Sequence, residues 1–156
     1  MSLPLPLIDS IGLPAPSAGV FDPAAQEDLF GTDILFTDRT QLSADGDYAT
    51  ISGLDNLRRA VERRLYTRPG EYVFRPEYGV GVQEFIGRAE STAAADELRT
   101  RIINNLAQEK RIERVLSVEI DSADFGNLRG LIIRIFVEAI GKPMTLGPYN
   151  ILEPGA

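Results

Sequence analysis

The chain has 156 residues, of which 44% are hydrophobic and 25% charged, and a net charge of −7. That length and balance suit one domain able to bury a core. There is no cysteine and no histidine, which excludes thiol chemistry, disulfides, Cys/His zinc sites and every catalytic triad with a histidine base.

Residues 1–31 hold five of the ten prolines, at positions 4, 6, 14, 16 and 23, and no basic residue. The start lacks the charged n-region and unbroken apolar run of a secretory signal, so synthesis in the cytosol is the expectation. Proline favours extended backbone and removes N–H donors, so this stretch reads as an arm. Leu3, Leu5, Leu7, Ile8, Ile11, Leu13, Val20 and Phe21 are apolar enough for it to order against a partner or against its own domain.

Residues 33–39 form a strand candidate, residues 43–47 a turn with Asp45-Gly46 as a type I′ hairpin signal, and residues 48–52 the return strand. Leu54, Leu57, Val61 and Leu65 follow at helical spacing, with Ser52 or Asp55 as the cap. Pro69-Gly70 ends this helix. Glu71 to Arg75 reads as a short strand, and Pro76 to Gly81 as a structured turn. A second helix over 91–109 carries the stripe Ala95, Leu98, Ile102 and Leu106, capped by Ser91 or Thr92. Residues 113–121 and 129–140 are the clearest strands, joined by a hairpin through Gly126-Asn127. In the second, Leu131, Ile133, Ile135 and Val137 face one way. The last 14 residues, with Tyr149 and Ile151, form a strand with nothing intramolecular to pair with. The order implies an α+β domain over 32–142: a small mixed or antiparallel sheet with two helices on one face. It is flanked by the arm 1–31 and an apolar C-terminal arm, 143–156.

Charge and motifs narrow the chemistry. An acidic chain does not suit nucleic acid or an anionic membrane, and no apolar run approaches the ~20 residues that cross a bilayer. Asp45-Gly46-Asp47 lacks the calcium-loop pattern, and Gly79-Val80-Gly81 lacks the rest of a phosphate loop, so no metal and no cofactor are expected. Glu71, Glu77 and Glu84 offer carboxylates for a hydrolase of peptidoglycan, without the surrounding context such an enzyme needs. The basic residues are 14 Arg against two Lys, a bias toward planar bidentate contacts that fits protein interfaces and equally the base composition of a genome. Arg58, Arg59, Arg63, Arg64 and Arg68 crowd the first helix, where they suit a solvated face, phosphates or an acidic protein partner.

Leu57 to Phe85, LRRAVERRLYTRPGEYVFRPEYGVGVQEF, resembles the core of the W-type baseplate wedge family of contractile phage tails. The matching positions are Leu57, Arg58, Ala60, Val61, Leu65, Thr67 and Gly70, then Pro76, Glu77, Tyr78 and Gly79. That family has a Glu-Pro-Arg-Ile type motif at the end of the second helix. Here the place is taken by Glu109, Lys110, Arg111 and Ile112, with lysine for proline. The resemblance covers about residues 50–140. It implies a non-enzymatic structural protein that joins the wedge to the sheath and starts sheath polymerisation by strand pairing. Glu109 and Arg111 would then contact the helical bundle of the wedge. Implied partners are the sheath subunit, other wedge proteins and tube or hub proteins, with several copies in a six-fold ring at the baseplate of a virion or injection particle. Strand addition would use the C-terminal segment, Tyr149 and Ile151 included. Relatives also include an anti-adaptor that blocks delivery of a sigma factor to proteolysis, and phage members once described as lysozymes. Glu109 and Arg111 pairing with each other inside the domain is the alternative to partner contact.

Overall fold

The computed structural model describes residues 29–35 and 41–152. Residues 1–28 of the arm expected over 1–31, the second half of the first strand candidate and residues 153–156 lie outside the described residues. The elements are β1 (Thr32–Ile34), β2 (Thr50–Ser52), α1 (Gly53–Tyr66), a short 3-10 turn (Val82–Phe85), α2 (Thr92–Leu106), β3 (Arg114–Phe125), β4 (Leu128–Ala139) and β5 (Lys142–Leu152). The strands make two antiparallel sheets, β1-β2 and β3-β4-β5. The fold is α+β, as expected.

Period-2 alternation builds the larger sheet. Leu131, Ile133, Ile135 and Val137 of β4 are buried, while Ile132, Arg134, Phe136 and Glu138 between them are half-buried on the other face. Helical spacing builds the opposing layer. Leu57, Val61 and Leu65 of α1 and Leu98, Ile102 and Leu106 of α2 are fully buried and join the same core. Ser91 caps α2 by accepting from the Ala94 N–H at 3.3 Å. Ser52 is the N-cap residue of α1, and Asp55 sits in its first turn, paired with Arg58.

Three expectations need correction. Glu71 to Arg75 is not a strand but a closed loop, in which the Gly70 N–H donates to the Pro76 carbonyl at 2.8 Å. The turn before β2 spans 43–47 as expected, but Asp45-Gly46 does not form a two-residue hairpin turn within it. Leu42 bridges Tyr48 across a five-residue loop, with a turn in which the Gly46 N–H donates to Ser43. The segment 143–152 is not an arm. It is strand β5, paired with β4 from Ala139↔Lys142 to Gly130↔Leu152. A register shift between Ile133 and Ile135 lets β5 carry Gly147-Pro148 and still send Leu146, Tyr149 and Ile151 inward. The extra residue in the bulge changes the inward spacing from two to three, so simple alternation fails there.

Because Ile151 is fully buried, Ile151→Ala is expected to destabilise by about 2–4 kcal/mol in denaturant unfolding. A chain ending at Lys142 should lose its cooperative transition. A truncated chain that melts like the whole one would show that β5 is dispensable.

Candidate functional site

Both helix stripes carry polar residues inward: Asn56 and Arg64 on α1, and Asn105 on α2. Arg64 follows Val61 by three positions and Asn105 follows Ile102 by three, so both turn toward the core with their apolar neighbours. They are 7% and 5% exposed. Asn105 uses its whole bonding capacity. Its Nδ2 donates to the carbonyls of Glu77 (3.0 Å) and Gly79 (2.9 Å), and its Oδ1 accepts from the Gly79 N–H (3.3 Å) and from Arg64 Nη1 (3.3 Å). The turn that follows closes on the end of α1: the Val80 N–H donates to the Arg64 carbonyl and the Gly81 N–H to that of Thr67. Gly79 has φ +104°, and a Cβ there would stand 2.4 Å from the Thr67 carbonyl oxygen. Only glycine fits.

An ion chain runs on from Arg64. Its Nη2 lies 3.4 Å from Glu109 Oε2, and Arg111 Nε lies 2.7 Å from Glu109 Oε1. Arg111 Nη1 donates to the Phe30 carbonyl at 3.1 Å, which also accepts from Asn56 Nδ2 at 3.1 Å. The Arg64 guanidinium lies over the Tyr78 ring, 4.5 Å from its centre. Burial pushes the Glu109 carboxyl up, but the Arg111 hydrogen bond and the Arg111 and Arg64 charges outweigh it and hold the group below its usual value. Glu109 and Arg111 therefore do pair with each other, and Arg111 remains the more exposed member.

The other expected site residues are spread more widely. Pro76 and Glu77 are exposed and Tyr78 is half-buried, all three on the turn that Asn105 clamps. Arg58 pairs with Asp55 on α1, and Arg63 pairs with Asp33 of β1 at 3.2 Å. Tyr149 and Ile151 face the core rather than a partner; the Tyr149 hydroxyl donates to the Arg58 carbonyl. Glu71 and Glu84 both meet Arg68 on an exposed surface: the Glu71 carboxylate accepts from the Arg68 backbone N–H, and the Glu84 carboxylate pairs with the Arg68 guanidinium. Sequence reasoning missed Asn105 and placed Arg64 on an outer face. The available signal was a polar residue standing on an apolar stripe.

The three-stranded sheet has two outer edges, and they differ. The two-residue turn at Gly126-Asn127 makes Phe125↔Leu128 a hydrogen-bonded pair. Alternation then points the backbone groups of Val118, Ile120, Ser122 and Asp124 away from β4. Arg99 Nε of α2 covers the Val118 carbonyl at 3.3 Å. Ser122 and Asp124 are exposed, and among the described residues nothing pairs with their outward backbone. The same argument from Ala139↔Lys142 points Pro143, Thr145, Asn150 and Leu152 outward on β5. Pro143 and Pro148 have no N–H, and the Tyr66 hydroxyl covers the Asn150 carbonyl at 3.2 Å. The β5 edge is blunted; the distal half of β3 is open.

A family model described as contractile injection system sheath initiator matches residues 31–138. Among solved structures, a chain of the anti-feeding prophage baseplate, determined by cryo-electron microscopy with six-fold symmetry, superposes with a TM-score of 0.60 at 20% identity over 76% of this chain and 91% of that one. A Geobacter sulfurreducens protein named as a tail lysozyme aligns with a TM-score of 0.45 at 20% identity over 72% of this chain and 96% of its own. No curated protein matches.

Asn105→Ala would leave two carbonyls, an N–H and part of Arg64 without partners in a buried site. Its expected cost is about 3 kcal/mol in denaturant unfolding. A second expectation concerns pH. A carboxyl whose folded pKa is depressed contributes stability above its unfolded value, near 4.3, and loses it as pH falls through the folded one. Glu109→Gln should lower the melting temperature at neutral pH, and the gap to the unsubstituted chain should close in acid, below about pH 4. A gap that is constant from neutral to acid pH would remove the charge of Glu109 from the account.

Proposed function

The chain belongs to the contractile injection system sheath initiator family, and from that premise we propose that its β3 edge receives an extended strand of the sheath subunit. The family's role is structural, in the baseplate of a phage-like contractile particle. The observation that carries the proposal is the asymmetry of the two sheet edges. Strand addition needs a row of outward N–H and C=O groups without partners. Ser122 and Asp124 supply such a row, whereas β5 is interrupted by two prolines and by Tyr66. Backbone pairing gives affinity, and the alternating side chains of β3 give register.

The opposite end of the domain serves the rest of the baseplate. Arg111 is held by Glu109 and by the Phe30 carbonyl, so its remaining guanidinium face is set before any partner arrives. A preset fork loses less freedom on binding than a free side chain. Wedge proteins are its proposed partners, with tube or hub proteins nearby. A ring of six copies is proposed, in keeping with the six-fold symmetry of the anti-feeding prophage baseplate. The role involves no turnover and no cofactor.

Proline on an outward edge position removes the N–H that a partner strand would use while sparing the bonds to β4. Ser122→Pro and Asp124→Pro should keep a cooperative melt yet fail to recruit sheath subunits in an assembly assay scored by electron microscopy. Thr145→Pro, on the blunted edge, should assemble normally. Sheath growth on folded Ser122→Pro and Asp124→Pro chains would refute the β3 assignment.

A further inference from the structure

The open half of β3 is also its acidic half. From Val115 to Phe125 the strand holds Glu119, Asp121 and Asp124 and no basic residue. Its pairing with β4 runs without a shift from Ser117↔Phe136 to Phe125↔Leu128, so alternation fixes the face of each carboxylate. Glu119 and Asp121, two positions apart, stand on the outer face of the sheet with Arg134 of β4. Arg134 Nη1 lies 3.7 Å from Glu119 Oε2 and 2.9 Å from Asp121 Oδ2, one guanidinium for two carboxylates that are each more than half exposed. Asp124 stands on the helix face, where it lines a cleft with Glu90, Ser122 and Arg129. Among the described residues neither Asp124 nor Glu90 has an ion pair. The covered first half of β3 differs: its bordering cations, Arg99 and Arg114, are paired with Asp96 and Glu138.

The site is the unpaired backbone at Ser122 and Asp124, and these charges decide between its occupants. A second copy of this chain would bring Glu119 and Asp121 against the same two carboxylates, and like charges opposite one another on adjacent strands are destabilising. A strand with basic side chains gains cross-strand pairs instead. Alternation says where they stand. Two basic residues, two positions apart, meet Glu119 and Asp121 on the outer face. A third, three positions further along, falls on the helix face and meets Asp124 beside Glu90.

We propose that the sheath strand received at β3 is cationic, with Lys or Arg at those three positions. The proposal rests on strand addition at β3 and names the chemistry of the strand. A chain with Glu119→Gln, Asp121→Asn and Asp124→Asn keeps the backbone of the edge and the size of its side chains. It should melt cooperatively and bind the sheath subunit about tenfold more weakly than the unsubstituted chain. Raising salt from about 0.05 M to about 0.5 M should weaken sheath binding by the unsubstituted chain and barely change that of the substituted one, because exposed charge pairs are screened. Equal affinity of the two chains for sheath overturns the cationic assignment, and so does an affinity of the unsubstituted chain that ignores salt. If Ser122→Pro still blocks recruitment in that case, the edge stays assigned and only the charge of its strand is wrong. Sheath binding that survives Ser122→Pro removes both. Dimers of the unsubstituted chain that Ser122→Pro dissolves would overturn the proposal in favour of a second copy at the edge.

Discussion

Asn105 is the constraint on which the working parts of the molecule depend. A helix end, a glycine turn and a buried guanidinium meet at one side-chain amide, and each of its four bonding positions is used. A hydrophobic contact at that place would have held α1 and α2 together but not fixed the turn, because apolar packing is non-directional. The amide sets the path of Glu77, Tyr78 and Gly79, and that path puts the Tyr78 ring under Arg64. Arg64 in turn brings Glu109 and Arg111 into line with Phe30. The residues proposed to face partners therefore inherit their positions from Asn105, which is buried.

This explains why part of the site could be read from the sequence and part could not. The residues 76–79 and 109–111 were found by resemblance to a family pattern, and the helices by stripes of Leu, Val and Ile at helical spacing. Asn105 and Arg64 sit on those stripes as exceptions, and a stripe analysis discards exceptions. A polar residue at an inward position has to be satisfied, so each exception announces a partner without naming it. The strands divided in the same way. β4 was plain because one face is wholly buried and its alternation is unbroken. β5 was obscured because Gly147-Pro148 inserts a bulge, and because proline and glycine are read as signs of an arm. Tyr72-Val73-Phe74 failed in the opposite sense. Its composition is that of a strand, but Gly70 and Pro76 close the segment on itself before any partner strand can pair with it.

The two helices have a second role at the sheet margins. α1 sends Tyr66 to the carbonyl of Asn150, and α2 sends Arg99 to that of Val118. Each covers one outward carbonyl of an edge strand, Asn150 near the end of β5 and Val118 in the first half of β3. Open edges invite unspecific pairing, and natural sheets blunt them with prolines, bulges or covering groups. β5 uses all three devices. β3 has a bulge between Val115 and Ser117 and the Arg99 contact, both in its first half, and beyond them the strand runs to the hairpin at Gly126-Asn127 with Ser122 and Asp124 exposed. Selective protection of this kind is what the proposed strand addition at β3 requires.

The pairing of Glu109 with Arg111 looks at first like a reason to deny them a partner, since charges already matched inside a domain gain little from a second match. The geometry argues otherwise. Glu109 is the buried member and is matched twice, by Arg111 and by Arg64. Among the described residues Arg111 is matched through Nε and Nη1, and it stands at the margin of the buried region. A guanidinium held by Nε–H and one Nη1–H keeps three N–H donors, and part of the ordering cost of using them has already been met in folding. The internal ion pair and the proposed external contact are thus compatible: Glu109 neutralises and aims the arginine, and the N–H groups it leaves free are those the proposed wedge contact would use.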